Sequence, residues 1–175
     1  APTTSQDGTW NSDSSGVWSD SSKWQSGNIA YGVNQTANFI ADITAPRTVS
    51  LDIAATIGAM VFRDTAASSS KIGWNLEMDD PLAAHCKLNM SGTVTPSITV
   101  GTTATENALI AVSIAGSQGL EKKGPGLLTL TGNNTYTGTT TISNGVLRIR
   151  HQAALGSGSV GNDTVVASGA ALQLL

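Results

Sequence analysis

The chain has 175 residues, enough for one domain with a sizeable core. Only 12% of them are charged, the net charge is −3 and the pI is about 5.1, which excludes a basic footprint for nucleic acid. No run approaches the ~18 apolar residues of a membrane-spanning helix, and the single cysteine, Cys86, excludes an intramolecular disulfide.

Residues 1–44 differ from the rest of the chain. The start at Ala1-Pro2, without an initiator methionine, fits removal of a signal peptide and an exported protein. Trp10, Trp18 and Trp24 lie in a Ser/Asp/Gly-rich setting, followed by Tyr31 and a short run ending in Ala37-Asn38-Phe39. Two readings arise. The rings close the end of a core, since large rings bury much area. Alternatively Trp10, Trp18, Trp24 and Tyr31 form a platform on which sugar rings stack, as in a carbohydrate-binding module, making a polysaccharide or a host or cell-surface ligand the partner.

From residue 45 short β-runs follow one another. Thr48–Leu51 alternates polar and apolar, 56–62 is an apolar run, and 72–78 carries Ile72, Trp74, Leu76 and Met78 on one parity. Further runs occupy 86–90, 97–100, 108–114, 126–131, 139–143, 146–150, 164–167 and 171–175, most of them separated by Gly, Asn, Asp or Pro. Helical spacing is sustained nowhere, and only His151–Leu155 suits a single helical turn at a corner. Asn133-Asn134 and Asn144-Gly145 suit left-handed backbone at corners. Arg148 and Arg150 alternate with Leu147 and Ile149 and belong on a solvent face. Leu128, Leu130, Ile142 and Leu147 belong inside.

The stretch 119–149 reads GLEKKGPGLLTLTGNNTYTGTTTISNGVLRI, three β-runs cut by turns. A unit of about thirty residues built this way is a solenoid signature. It resembles the autotransporter-associated β-strand repeat of secreted bacterial passenger domains, on Leu120, Lys122, Gly124, Gly126, Leu128, Leu130, Gly132, Asn134, Tyr136, Gly138, Thr140, Ile142, Gly145 and Leu147. The Trp-rich start is similar to that of many secreted β-helix proteins with this repeat, although it lacks a proline after Gly27-Asn28. The resemblance implies a right-handed parallel β-helix, with residues 1–44 as an N-terminal cap and 45–175 as roughly six coils. It also implies a non-enzymatic stalk or passenger segment, secreted and displayed on the cell surface.

Catalytic constellations are sparse. His85-Cys86 beside Asp79-Asp80 is the densest polar cluster, but metal-ligand spacing is missing, and neighbours on a strand point to opposite faces. Asp42, Asp52, Asp64 and Asp79 fall near turns, where carboxylates serve turn chemistry. No cofactor, metal or catalytic residue is expected. The chain closes on Leu172-Gln173-Leu174-Leu175 without a polar stop, so end-to-end self-association through the C-terminal coil is expected.

Overall fold

Short runs of β-branched and apolar residues, cut every few positions by glycine, cannot build long strands. They form a column of short ones instead. A computed structural model describes residues 2–64, 73–80 and 86–175. Its strands are all two to five residues long and lie in three sheets. The first sheet stacks Gly8–Trp10, Thr36–Phe39, Ala59–Phe62, Ser97–Val100, Leu120–Lys123, Thr140–Ile142 and Thr164–Val166 in that order. The second stacks Gly16–Val17, Arg47–Leu51, Trp74–Met78, Asn107–Ile110, Leu127–Leu130, Val146–Ile149 and Ala171–Leu174. The third is shorter and holds Ala55–Ile57, Leu88–Met90 and Ile114–Ala115.

Every pairing between these strands is parallel. From Thr36 to Ala115 the chain visits the first, second and third sheet in turn and then begins again one level on. The architecture is a parallel β-helix, and among the described residues it is all-β apart from two 3₁₀ turns at Ser21–Lys23 and Gln25–Gly27.

In-register stacking turns sequence alternation into columns. Ala37, Met60, Ile98, Lys122, Ile142 and Val166 lie in one inward column of the first sheet. Val49, Leu76, Ile110, Leu130, Ile149 and Leu174 form another in the second. Leu128, Leu130, Ile142 and Leu147 are buried, as their alternation requires, and so are Trp74 and Leu76. Arg148 faces outward and donates from Nε to Gln173 Oε1 at 3.0 Å. Ile72 of the same predicted run lies outside the described residues.

Two predicted runs proved to be two strands each. The run 56–62 breaks at Gly58 and 108–114 breaks after Ile110. The reason is that corners are buried too. Val112 is fully buried, so the apolar sequence continues round the bend. At Gly58 any Cβ would lie 2.6 Å from the Asn34 Cα, and only glycine lets the two coils approach.

The ladder also runs through residue 44. Gly8–Trp10 pairs with Thr36–Phe39, and Thr36–Phe39 with Ala59–Phe62. The 3₁₀ turns interrupt the first circuit because Asp20 accepts from the Ser22 backbone N–H at 3.0 Å, capping a tight turn that carries Trp24 inward. Trp10, Trp18 and Trp24 are 0%, 0% and 2% exposed. Truncating one of them leaves a large void among rigid rings. Trp18→Ala should therefore lower the unfolding free energy by about 3–5 kcal/mol, read from denaturant titration of the purified chain.

Candidate functional site

The aromatic cluster has a definite geometry. Trp24 meets Trp10 edge-on at a centroid distance of 5.3 Å and Trp18 at 5.1 Å. Phe39 touches all three and stacks on Phe62 at 5.0 Å with planes 11° apart. Each buried indole N–H has a carbonyl partner: Trp10 donates to Ser14, Trp18 to Ala30 and Trp24 to Trp18, at 3.2, 3.3 and 2.8 Å. A sugar stacks on a ring face open to water, and these faces are covered by one another and by Phe39. Tyr31 is half-buried and pairs through its backbone with Gln6, at 2.8 and 3.0 Å.

Of the sparse polar cluster, His85 lies outside the described residues. Cys86 is buried, and desolvation together with the charges of Asp52, Asp79 and Asp80 pushes its thiol above the ordinary range. Asp52 serves as an acceptor for the Ser19 backbone and hydroxyl. Among the described residues no group of three His, Cys, Asp or Glu could hold a metal. No described helix is long and apolar enough to cross a membrane.

The chemistry lies instead inside the coil at 119–149. Lys122 is 1% exposed, in the column between Ile98 and Ile142. Its Nζ donates to the carbonyls of Lys123, Gly124 and Asn144 at 2.9, 2.7 and 3.0 Å. In the sequence Lys122 and Lys123 are adjacent lysines with nothing local to tell them apart in charge. The signal that separates them is parity, because Lys122 shares its phase with Leu120 and Lys123 does not. Lys123 points outward and pairs with Glu121 at 3.0 Å.

The corner above is held by the opposite charge. Glu106 Oε1 accepts from the backbone N–H groups of Thr102 and Thr103 at 2.7 and 3.1 Å, and Oε2 from that of Asp64 at 2.9 Å. Burial pushes the Glu106 carboxyl up, but these donors outweigh it and hold the group below the ordinary glutamate range.

Asn134 solves a third problem. The third sheet stops at Ile114–Ala115, leaving backbone groups to be satisfied. The buried Asn134 side chain accepts from the Ile114 N–H at 2.9 Å and donates to the Ala154 carbonyl at 2.7 Å, each 20 residues away. It stands in for a strand across three coils. Asn133, Asn134 and Asn144 do not take the left-handed backbone expected of them. Among the described residues the non-glycine positions there are Ser26 and Asn34, and the corner after Asn144 is turned by Gly145 at φ 69°. Tyr136 is buried, its hydroxyl 2.7 Å from that of Thr140, and burial pushes its phenol up to about 12. The segment 151–155 forms one tight turn in which the Ala154 N–H donates to the His151 carbonyl at 3.0 Å.

Lys122, Asn134, Tyr136 and Thr140 fall within the span of a known repeat, and Glu106 precedes it. The family model described as passenger-associated-transport-repeat matches residues 120–149. Over 167 residues the chain is also 34% identical to the adhesin BmaC autotransporter of Brucella suis biovar 1 (strain 1330). That alignment covers 95% of this chain and 4% of the relative, so the chain spans a small section of a much longer protein. No solved structure matches the chain significantly.

Within the repeat, burial brings the Lys122 amine down from its ordinary 10.5 to about 8. Between these values the unfolded chain holds more protons than the folded one, so stability rises with pH across that window. The unfolding free energy of wild type minus that of Lys122→Met should therefore increase from pH 8 to 10.5, measured by chemical denaturation. A flat difference would mean that the amine titrates as it does in the unfolded chain.

Proposed function

We propose that this chain is a section of a secreted, surface-displayed passenger β-helix, and that its work is structural: it extends and stiffens a stalk that presents adhesive parts of a longer protein. The observation that carries this reading is the position of the repeat. Residues 120–149 form two stacked circuits whose outer strands pair on both sides, with Ser97–Val100 and Asn107–Ile110 before them and Thr164–Val166 and Ala171–Leu174 after them. The unit is thus two successive levels in a column rather than a separate module. The similarity to an autotransporter adhesin supports export and display and a non-enzymatic role.

Residues 1–44 act in this reading as a cap on the coils of 45–175, with Trp10, Trp18 and Trp24 as its plug. The rival is a polysaccharide platform formed by the same rings and Tyr31. A Trp18→Ala chain that kept its stability but lost retention on insoluble polysaccharide would establish the rival. For display, an antibody against this section should label intact cells that make the full-length parent protein. Labelling only after permeabilisation would overturn the reading.

A second proposal rests on the opposite face. Val165, Val166 and Leu174 are 50%, 43% and 71% exposed on strands that each pair along one edge. Unpaired strand edges flanked by apolar side chains template further pairing. The isolated chain should accordingly self-associate through this face, and Leu174→Lys with Leu175→Lys should shift its sedimentation toward monomer.

A further inference from the structure

The corner between the first and second sheets gathers backbone carbonyls of two successive coils at one point. Lys123 and Gly124 contribute theirs from one level and Asn144 from the next. Gly124 and Gly145 turn the chain there with φ of 75° and 69°. A Cβ at Gly145 would lie 2.6 Å from the oxygens of Gly124, Pro125 and Gly126, so the corner tolerates glycine alone and its oxygens are fixed in place. What fills the space between them is the ammonium of Lys122. Among the described residues, no carboxylate hydrogen-bonds to it. The nearby carboxylates are otherwise engaged: Glu121 with Lys123 and Ser143, and Glu106 with the N–H groups of its own corner.

From this arrangement we infer that the carbonyls of Lys123, Gly124 and Asn144 form a monovalent-cation site spanning two coils, which the chain occupies with its own Lys122 ammonium. The spacing selects the class of ion. The oxygens lie 2.7–3.0 Å from Nζ. Calcium takes oxygen at about 2.3–2.6 Å and magnesium at about 2.0–2.1 Å, usually with carboxylates, which this corner does not present. Neutral carbonyl oxygens at a wider spacing suit potassium or ammonium, as in filters built of backbone carbonyls. The site is complete only when both coils are stacked, because the Asn144 oxygen arrives with the second.

The test is to shorten the side chain and offer the ion separately. In sodium chloride, Lys122→Ala should melt several degrees below wild type. At equal ionic strength, ammonium or potassium chloride should restore part of that loss, while tetramethylammonium, too large for the corner, should not. Wild type and Lys122→Met, whose apolar side chain fills the space, should respond to all four salts alike. An alanine variant equally indifferent to the four salts would overturn the inference. Should that variant fold in none of them, the wild type decides. At neutral pH the Lys122 ammonium protons should give a ¹⁵N-resolved signal shielded from exchange with water, and their absence would overturn the inference as well.

Discussion

Parallel in-register stacking is the constraint on which everything else in this molecule depends. Because each strand sits directly on its counterpart one circuit earlier, an inward residue belongs to a column and not to a local pocket. Neighbouring strands are about 4.8 Å apart, so each side chain is packed by the one above and the one below. This explains why Trp10, Phe39, Phe62 and Val100, aligned through the first sheet, form one apolar file that passes from aromatic rings to a small aliphatic chain. It also explains why sharp corners are tolerated at all. A circuit of about twenty residues must turn several times, and the turns must repeat at the same height in each coil.

The turns create the molecule's electrostatic problem. Strands satisfy one another, but corner residues leave N–H and C=O groups facing a dry interior. Three side chains meet this demand in three ways. Glu106 gathers donors, Lys122 gathers acceptors, and Asn134 does both. Each reaches into a neighbouring coil, so the groups that settle a corner also bind one level to the next. The buried charges of Glu106 and Lys122 are met by backbone N–H and C=O groups rather than by a counter-ion.

Much of this could be read from the residues. Glycine-punctuated runs excluded helices, the spacing within 119–149 announced a stacked coil, and the phase of Leu128, Leu130, Ile142 and Leu147 gave the inward face. What stayed hidden arises where the third dimension changes the meaning of a local pattern. Val112 and Gly58 sit at buried corners, so continuous apolar runs concealed bends. Lys122 is charged and adjoins Lys123, and sequence carries no record of three carbonyls waiting inside. Asn134 is a turn residue by composition and a cross-coil connector by position. The 3₁₀ turn at Ser21–Lys23 depends on an aspartate cap that a Ser-rich segment does not advertise.

The cross-coil contacts have a mechanical consequence. Pulled at its two ends along the stacking axis, a column of this kind does not shear as one body. It peels, because the load falls on the hydrogen bonds of a single level before reaching the next. Most levels would part with similar resistance. Those crossed by Glu106, Lys122 or Asn134 would not, since opening them strips a buried side chain of its partner in the next coil. Such levels are brakes placed within the run of coils, where unravelling started at an end would meet an abrupt rise in force.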